Sequence, residues 1–294
     1  MKRQLIVFVK QVPDTKNITG EAMTPQGTVN RAALPAIFNP EDLNALELAL
    51  QLKDRYGYHV VVATMGPPNA SNVLREALYR GADEAYLITD RAFAGADTLA
   101  TSYALSRLAV TIKDYDLILC GRQAIDGDTA QVGPQLAEKL NLPQISYVEE
   151  VVSITKDQIK ARRAIDGGYE LLESPMPALL TVIDANEPRC PAAKRLMKFK
   201  KAKTRFELAG SNYTDAERLA EEEESLRAKG LWINEVNAAA IGADVERIGL
   251  KGSPTKVKKI ESVVLKAGQA KQIEPTEAGI GNLIHELIQD HTLG

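Results

Sequence analysis

Through the N-terminal half of the chain, short apolar runs alternate with longer stretches whose apolar positions recur at helical spacing. Leu5–Val9, the β-branched run Tyr58–Thr64, Ala85–Thr89 and Asp116–Cys120 read as strands. The last is continuous and apolar, as expected where both faces of a sheet are covered. Between them, Ala45–Leu52 belongs to a helix opened by Asn39-Pro40-Glu41-Asp42. There Asn39 can cap, Pro40 suits the first turn, and the two acids favour the positive helix end. Met65-Gly66-Pro67-Pro68 stops the second strand, and Ser71–Tyr79 is predicted as a helix closed by Arg80-Gly81, with Gly81 in the C′ position. Asp97–Lys113 is predicted as a helix carrying Leu99, Tyr103, Leu105, Leu108 and Ile112 at roughly helical intervals. This order predicts an α/β protein with a mostly parallel sheet and helices on both faces.

The pattern changes after Pro143. Tyr147–Ile154, Gln158–Ala164 and Tyr169–Glu173 read as a small antiparallel β excursion, and Ala178–Ile183 as a strand returning to the main sheet. From about Lys198 the composition shifts: a basic stretch Lys198–Lys203, a charged helix Asp215–Lys229, a stretch rich in Gly, Pro and Lys from Gly242 to Lys259, and a short helix Glu277–Asp290. Two units are expected: an α/β domain over residues 1–200 and a C-terminal arm over 201–294 that packs on a partner, because the tail carries little core of its own. No internal repeat is present.

Composition narrows the function classes. The net charge of −3 gives no basic footprint for nucleic acid. Cys120 and Cys190 stand far apart, and with three histidines a zinc site lacks ligands. The run Leu5–Val9 is too short for a signal-peptide core or a bilayer span. A cytoplasmic protein without membrane insertion is expected, which two unpaired thiols also fit. Cys120 is read as a small apolar residue of a buried strand. His59, His285 and His291 are read as surface or tail residues. Trp232 is expected at a partner interface, with packing inside the chain as the alternative. Lys198–Lys203 is read as a solvated helix face.

The candidate chemistry lies in Gly121-Arg122-Gln123-Ala124-Ile125-Asp126-Gly127-Asp128-Thr129-Ala130-Gln131-Val132-Gly133-Pro134, which follows the fourth strand and precedes a helix predicted over Gln135–Leu140. Ligands of open α/β sheets bind outside the carboxyl ends of strands. A glycine-containing loop leading into a helix N-terminus offers free N–H groups and a positive dipole end to phosphate. Gly121, Gly127 and Gly133 let the backbone approach a ligand. Thr129 supplies a hydroxyl, and Arg122 a fixed charge. Asp126 and Asp128 would repel phosphate, so they cap backbone, accept ribose hydroxyls or hold Arg122. The loop matches neither GxxxxGK[ST] nor GxGxxG. By residue type alone, a polar turn between strand and helix fits it equally well.

Gly121–Pro134 closely resembles the nucleotide-binding motif of electron-transfer flavoprotein beta subunits. So do Val9-Lys10-Gln11-Val12-Pro13-Asp14, the Asn39-Pro40 helix start, Met65-Gly66-Pro67, Arg75-Glu76-Ala77-Leu78 with Gly81-Ala82-Asp83, and Ala185-Asn186-Glu187-Pro188-Arg189. They occur in the family order and cover most of residues 4–200. The resemblance implies a fold like that of adenine-nucleotide alpha-hydrolase domains. It implies a nucleotide held by Phe8, Val9, Lys10, Asn39, Met65, Gly66 and, in the loop, Gly121, Arg122, Gln123, Asp126, Gly127, Asp128, Thr129, Gln131, Val132 and Gly133. It also implies a heterodimer with an alpha subunit that carries its own FAD.

Members divide into those whose beta subunit holds a structural AMP and bifurcating ones, in which the same place holds the ADP part of a second FAD. That flavin accepts a hydride from NADH and splits the pair between two acceptors. Asp126-Gly127-Asp128-Thr129, the segment Gly249–Val257 and Gly95-Ala96-Asp97-Thr98 resemble the second branch, and the last would bring Thr98 near the nucleotide. The segment Glu187–Lys198 resembles the family's partner-recognition loop, but Ala193 stands where a leucine anchor is common, which suggests a different dehydrogenase partner. The resemblance therefore implies a subunit that binds FAD, takes electrons from NADH, and passes them to an acyl-CoA dehydrogenase-type or other flavin dehydrogenase and to ferredoxin or flavodoxin. No residue reads as a general acid, base or nucleophile, so NADH oxidation is expected only within the flavoprotein complex. Two rivals remain: an AMP-binding beta subunit, and a universal-stress-type sensor holding ATP as a homodimer.

Overall fold

The uninterrupted apolar runs become the inner strands of one sheet. The computed structural model describes residues 3–14, 34–210, 216–256, 271–289 and 292. In it β1 spans Gln4–Phe8 and is followed by the antiparallel pair β2 (Gln11–Pro13) and β3 (Ala36–Phe38). Then come α1 (Pro40–Tyr56), β4 (His59–Met65), α2 (Ser71–Arg80), β5 (Glu84–Ile88), α3 (Thr98–Ile112), β6 (Leu117–Gly121) and α4 (Val132–Leu140). The antiparallel excursion is β7 (Gln144–Ile154), β8 (Gln158–Ile165) and β9 (Gly168–Pro175), and β10 (Ala178–Val182) returns beside β6. The remaining described elements are α5 (Ala193–Phe199), α6 (Arg205–Ala209), α7 (Ala216–Ala228), β11 (Asn234–Val236) and α8 (Glu277–Gln289).

The nine strands lie in the order β11-β5-β4-β1-β6-β10-β7-β8-β9. Pairing is parallel from β11 to β7 and antiparallel beyond it. The fold is thus the expected α/β class. α1 and α2 cover one face around Leu46, Leu50 and Leu74. α3 and α4 cover the other around Leu108 and Leu136. From β1 the chain steps outward through β4 and β5, then returns to β6 on the opposite side of β1. Strand order therefore reverses between β1 and β6, the place where open α/β sheets bind ligands.

Residues expected in a C-terminal arm from 201 onward partly serve the sheet itself. β11 pairs with β5, Asn234 opposite Tyr86 and Val236 opposite Ile88, while Ala202, Ile233 and Ile248 are buried. Trp232 belongs to the core rather than to a partner interface, which corrects that expectation. Arg227 stacks over its ring at 4.8 Å, and its buried indole N–H has no acceptor among the described residues. Trp232→Phe removes that unsatisfied donor and gives up some area and part of the cation–π contact. A cost within about 1 kcal/mol is therefore expected in urea unfolding; a loss of several kcal/mol would show that the indole N–H is satisfied.

α7 and α8 occupy the predicted charged and C-terminal helices. Asp215, Val257, Lys259, Asp290 and His291, which the sequence reading included, lie outside the described residues. No described helix is long and apolar enough to cross a membrane.

Candidate functional site

A cavity of about 400 Å³ opens at the carboxyl ends of β1, β4 and β6, at the reversal point. Of the residues predicted from sequence, it brings together Phe8, Val9, Lys10, Met65 and Thr98 with Gly121, Arg122, Gln123, Asp126, Gly127, Asp128, Thr129, Gln131, Val132 and Gly133. Asn39 and Gly66 are not among the residues that line it. Asn39 is fully buried, and its side chain does not cap α1. Its Nδ2 instead donates to the Gln123 carbonyl at 2.9 Å and its Oδ1 accepts the Ile125 N–H at 3.2 Å, so it braces the loop after β6. Gly66 donates its N–H to the Ile88 carbonyl at 3.0 Å, and a Cβ there would lie 2.9 Å from that of Ala70.

Of the roles expected for Asp126 and Asp128, holding Arg122 falls to another residue. Arg122 is held by Glu41 of α1, with Nη2 to Oε1 at 2.5 Å and Nε to Oε2 at 3.2 Å, and its guanidinium lies 5.6 Å over the Tyr147 ring. Neither Asp126 nor Asp128 anchors it. Lys10 Nζ meets both oxygens of Asp126 at 2.7 Å, and Asp128 accepts Gln123 Nε2 at 3.2 Å. The two cations nearest the loop therefore already face carboxylates.

What remains open is backbone. α4 begins at Val132, three residues before the predicted Gln135. The N–H groups of Thr129, Ala130, Gln131, Val132 and Gly133 have no acceptor among the described residues. A row of unpaired donors at the positive end of a helix suits an anion. Asp128 and Ala130 take left-handed backbone, with φ of 49° and 51°. Such strain in non-glycine residues persists where the surroundings over-determine it.

The glycines also divide. A Cβ at Gly127 meets nothing within 4 Å, so this position is free to approach a ligand. Gly121 and Gly133 are required by packing within the chain: a Cβ at Gly133 would lie 2.6 Å from Thr181 Cγ2 and 3.0 Å from Cys120 Sγ. Cys120 is buried, and burial pushes its thiol far above the ordinary range, so it acts as an apolar wall.

Sequence reasoning missed Asp42, Phe93, Thr101 and Leu105, all of which line the cavity. Thr101 and Leu105 follow Thr98 on one face of α3, a signal that helical spacing from Thr98 could have supplied. Asp42 is buried at the base of the cavity. Its Oδ2 accepts the Lys10 N–H and its Oδ1 the Gly121 N–H, each at 2.9 Å. One carboxylate thereby ties the ends of β1 and β6 to the first turn of α1. Burial pushes it up to about 7, against the pull of Asn39, the two N–H groups and the Lys10 charge. The folded chain thus takes up this proton near pH 7, and the unfolded chain near its ordinary value of 3.8. Between those values the native state binds more protons, so the stability difference between wild type and Asp42→Asn should shift toward wild type as pH falls from 8 to 5. Urea midpoints of both proteins across that range check the sign.

The electron transfer flavoprotein domain model matches residues 26–206. The chain is 43% identical to the electron transfer flavoprotein subunit beta of Clostridium acetobutylicum over 98% of each chain. It is 40% identical to the caffeyl-CoA reductase-Etf complex subunit CarD of Acetobacterium woodii, over 99% of this chain and 100% of that one. Identity to Protein FixA of Azotobacter vinelandii is 40%, over 95% of this chain and 90% of that one.

Proposed function

The chain belongs to the electron transfer flavoprotein beta-subunit family, and from that membership together with the cavity at the β1–β6 reversal we propose that it binds FAD in a heterodimer with an alpha subunit. In that complex it takes electrons from NADH and passes them to a flavin dehydrogenase, of the acyl-CoA dehydrogenase type or another, and to a low-potential acceptor, ferredoxin or flavodoxin. It does so in the cytoplasm.

The observation that carries this reading is that Thr129 to Gly133, whose N–H groups have no acceptor among the described residues, line the cavity at the start of α4. These donors would hold the diphosphate of the cofactor. Phe8, Met65, Phe93 and Leu105 would pack on its adenine, since they supply the cavity's apolar walls. Thr98, Asp126 and Asp128, which also line the cavity, would partner the cofactor's hydroxyls. Lys10 and Arg122, each beside a carboxylate, add a tempered positive field rather than a naked charge. When bound, the flavin supplies hydride acceptance and single-electron transfer, and this chain supplies binding and electrostatics.

The bifurcating reading over the AMP-binding one is supported by the similarity to FixA and to the Etf-complex subunit CarD. The name of the latter also supports a CoA-substrate reductase as the dehydrogenase partner. Acid extraction of the co-expressed heterodimer tests it. Two FAD and no AMP per heterodimer, with NADH bleaching the flavin absorbance, are expected; one FAD and one AMP would contradict the bifurcating reading.

A further inference from the structure

We infer that the segment from Gly249 to Thr255 is a strap that fixes one wall of the nucleotide cavity, with Ser253 and Thr255 as positioning residues acting through Asp97. The inference rests on the nucleotide reading above and adds a part of the site that lies more than 100 residues from the loop in sequence.

The wall in question is the stretch between β5 and α3. It lends Phe93, Gly95, Ala96 and Asp97 to the cavity, and Thr98 opens α3. Asp97 serves two elements at once. Its Oδ1 accepts the Ala100 N–H at 3.0 Å and caps α3. Its Oδ2 accepts the N–H of Thr255 at 3.0 Å and the hydroxyl of Thr255 at 2.7 Å. The Asp97 N–H donates to Ser253 Oγ at 2.8 Å, and that buried hydroxyl donates in turn to the Gly249 carbonyl at 2.6 Å. Partial burial alone would raise the Asp97 carboxyl, but the hydrogen bonds from Ala100, Thr255 and Leu99 hold it below the ordinary range. The acceptor that seats the strap is therefore ionised at neutral pH, which strengthens each bond to it.

Strap and wall also touch directly. A Cβ at Gly249 would lie 2.1 Å from the Ala92 carbonyl oxygen, and one at Gly95 would lie 2.7 Å from Leu250 side-chain carbons. Gly249 takes left-handed backbone, with φ of 55°, so glycine is favoured there on both counts.

From Asp97 the contacts run on to the phosphate-facing donors. Thr98 Oγ1 donates to Gln131 Oε1 at 3.0 Å and accepts Gln135 Nε2 at 3.4 Å. These bonds join the first turns of α3 and α4, so the strap sets the spacing between the α3 wall and the row of N–H groups.

The test uses the full heterodimer with its natively bound nucleotide. Release is chased with excess ADP and followed by chromatography, for wild type, Ser253→Ala/Thr255→Val and Thr255→Ser. The double variant loses two hydrogen bonds at Asp97, one of them to its carboxylate. It should release nucleotide about tenfold faster while its melting temperature falls by no more than about 3 °C. Thr255→Ser keeps the hydroxyl and should release at the wild-type rate. Hydrogen exchange over residues 249–255 reports whether the strap has opened. An opened strap with an unchanged release rate overturns the inference, as does Thr255→Ser releasing as fast as the double variant. A wild-type heterodimer that holds no adenine nucleotide would instead overturn the cavity assignment, and the strap's role with it.

Discussion

Gly121→Ala is expected to cost about 3 kcal/mol of stability and to abolish retention of the nucleotide proposed for the cavity. A Cβ at this position would lie 2.6 Å from Asp42 Oδ1, 2.7 Å from the Asp42 backbone nitrogen and 2.7 Å from the Glu41 carbonyl carbon. Two of those three atoms are backbone of the first turn of α1 and cannot rotate away. Relief requires β6 and α1 to separate, which breaks the 2.9 Å bond from the Gly121 N–H to Asp42. It also pulls Arg122 and the Gln123 N–H away from Glu41. Overpacking and the loss of a buried hydrogen bond act together, and both fall where the loop leaves the sheet. Denaturant midpoints and the nucleotide retained through gel filtration check the two halves of the prediction. Wild-type values in both would show that α1 and β6 are not packed as described.

Gly133→Ala should cost about 2 kcal/mol and weaken nucleotide retention at least tenfold, for a reason that can be isolated. The added Cβ meets Thr181 Cγ2 at 2.6 Å and Cys120 Sγ at 3.0 Å, so the start of α4 must lift off β10 and β6. The open N–H groups ride on that turn. Thr181→Ser removes the closer methyl and keeps the hydroxyl that accepts the Tyr147 N–H at 3.2 Å. In the double variant about half of the lost stability should return, a coupling of roughly 1 kcal/mol, because the two sites share one contact. Strict additivity would place the cost of Gly133→Ala elsewhere.

How far the sequence reached depends on what kind of contact each feature needs. The inner strands were legible because burial on both faces writes them as apolar runs. β2, β3 and β11 have three residues each, too few to show a period. The sequence pattern places the start of α4 too late because Gly133 and Pro134 look like loop. In fact a proline in the first turn has no intrahelical N–H bond to lose, so the helix runs through it. The loop residues were found by their glycines and by resemblance, yet two of those glycines answer to packing against α1 and β10 rather than to a ligand. Partners distant in sequence were not legible at all. Glu41 holds Arg122 across 81 positions, Asp42 reaches Gly121 across 79, and Asp97 reaches Thr255 across 158. Each depends on which strands end side by side, which no local pattern encodes. The same limit explains Trp232, whose burial depends on β11 joining the sheet edge beside β5.

The nucleotide reading requires that the N–H groups from Thr129 to Gly133, which have no acceptor among the described residues, hold the diphosphate of an adenine-containing cofactor. A crystal structure of the heterodimer with its native cofactor tests it most directly. Diphosphate oxygens are expected within about 3.2 Å of several of those nitrogens, with the adenine against Phe8 and Leu105. A cofactor bound elsewhere, with that turn facing only solvent, would contradict it.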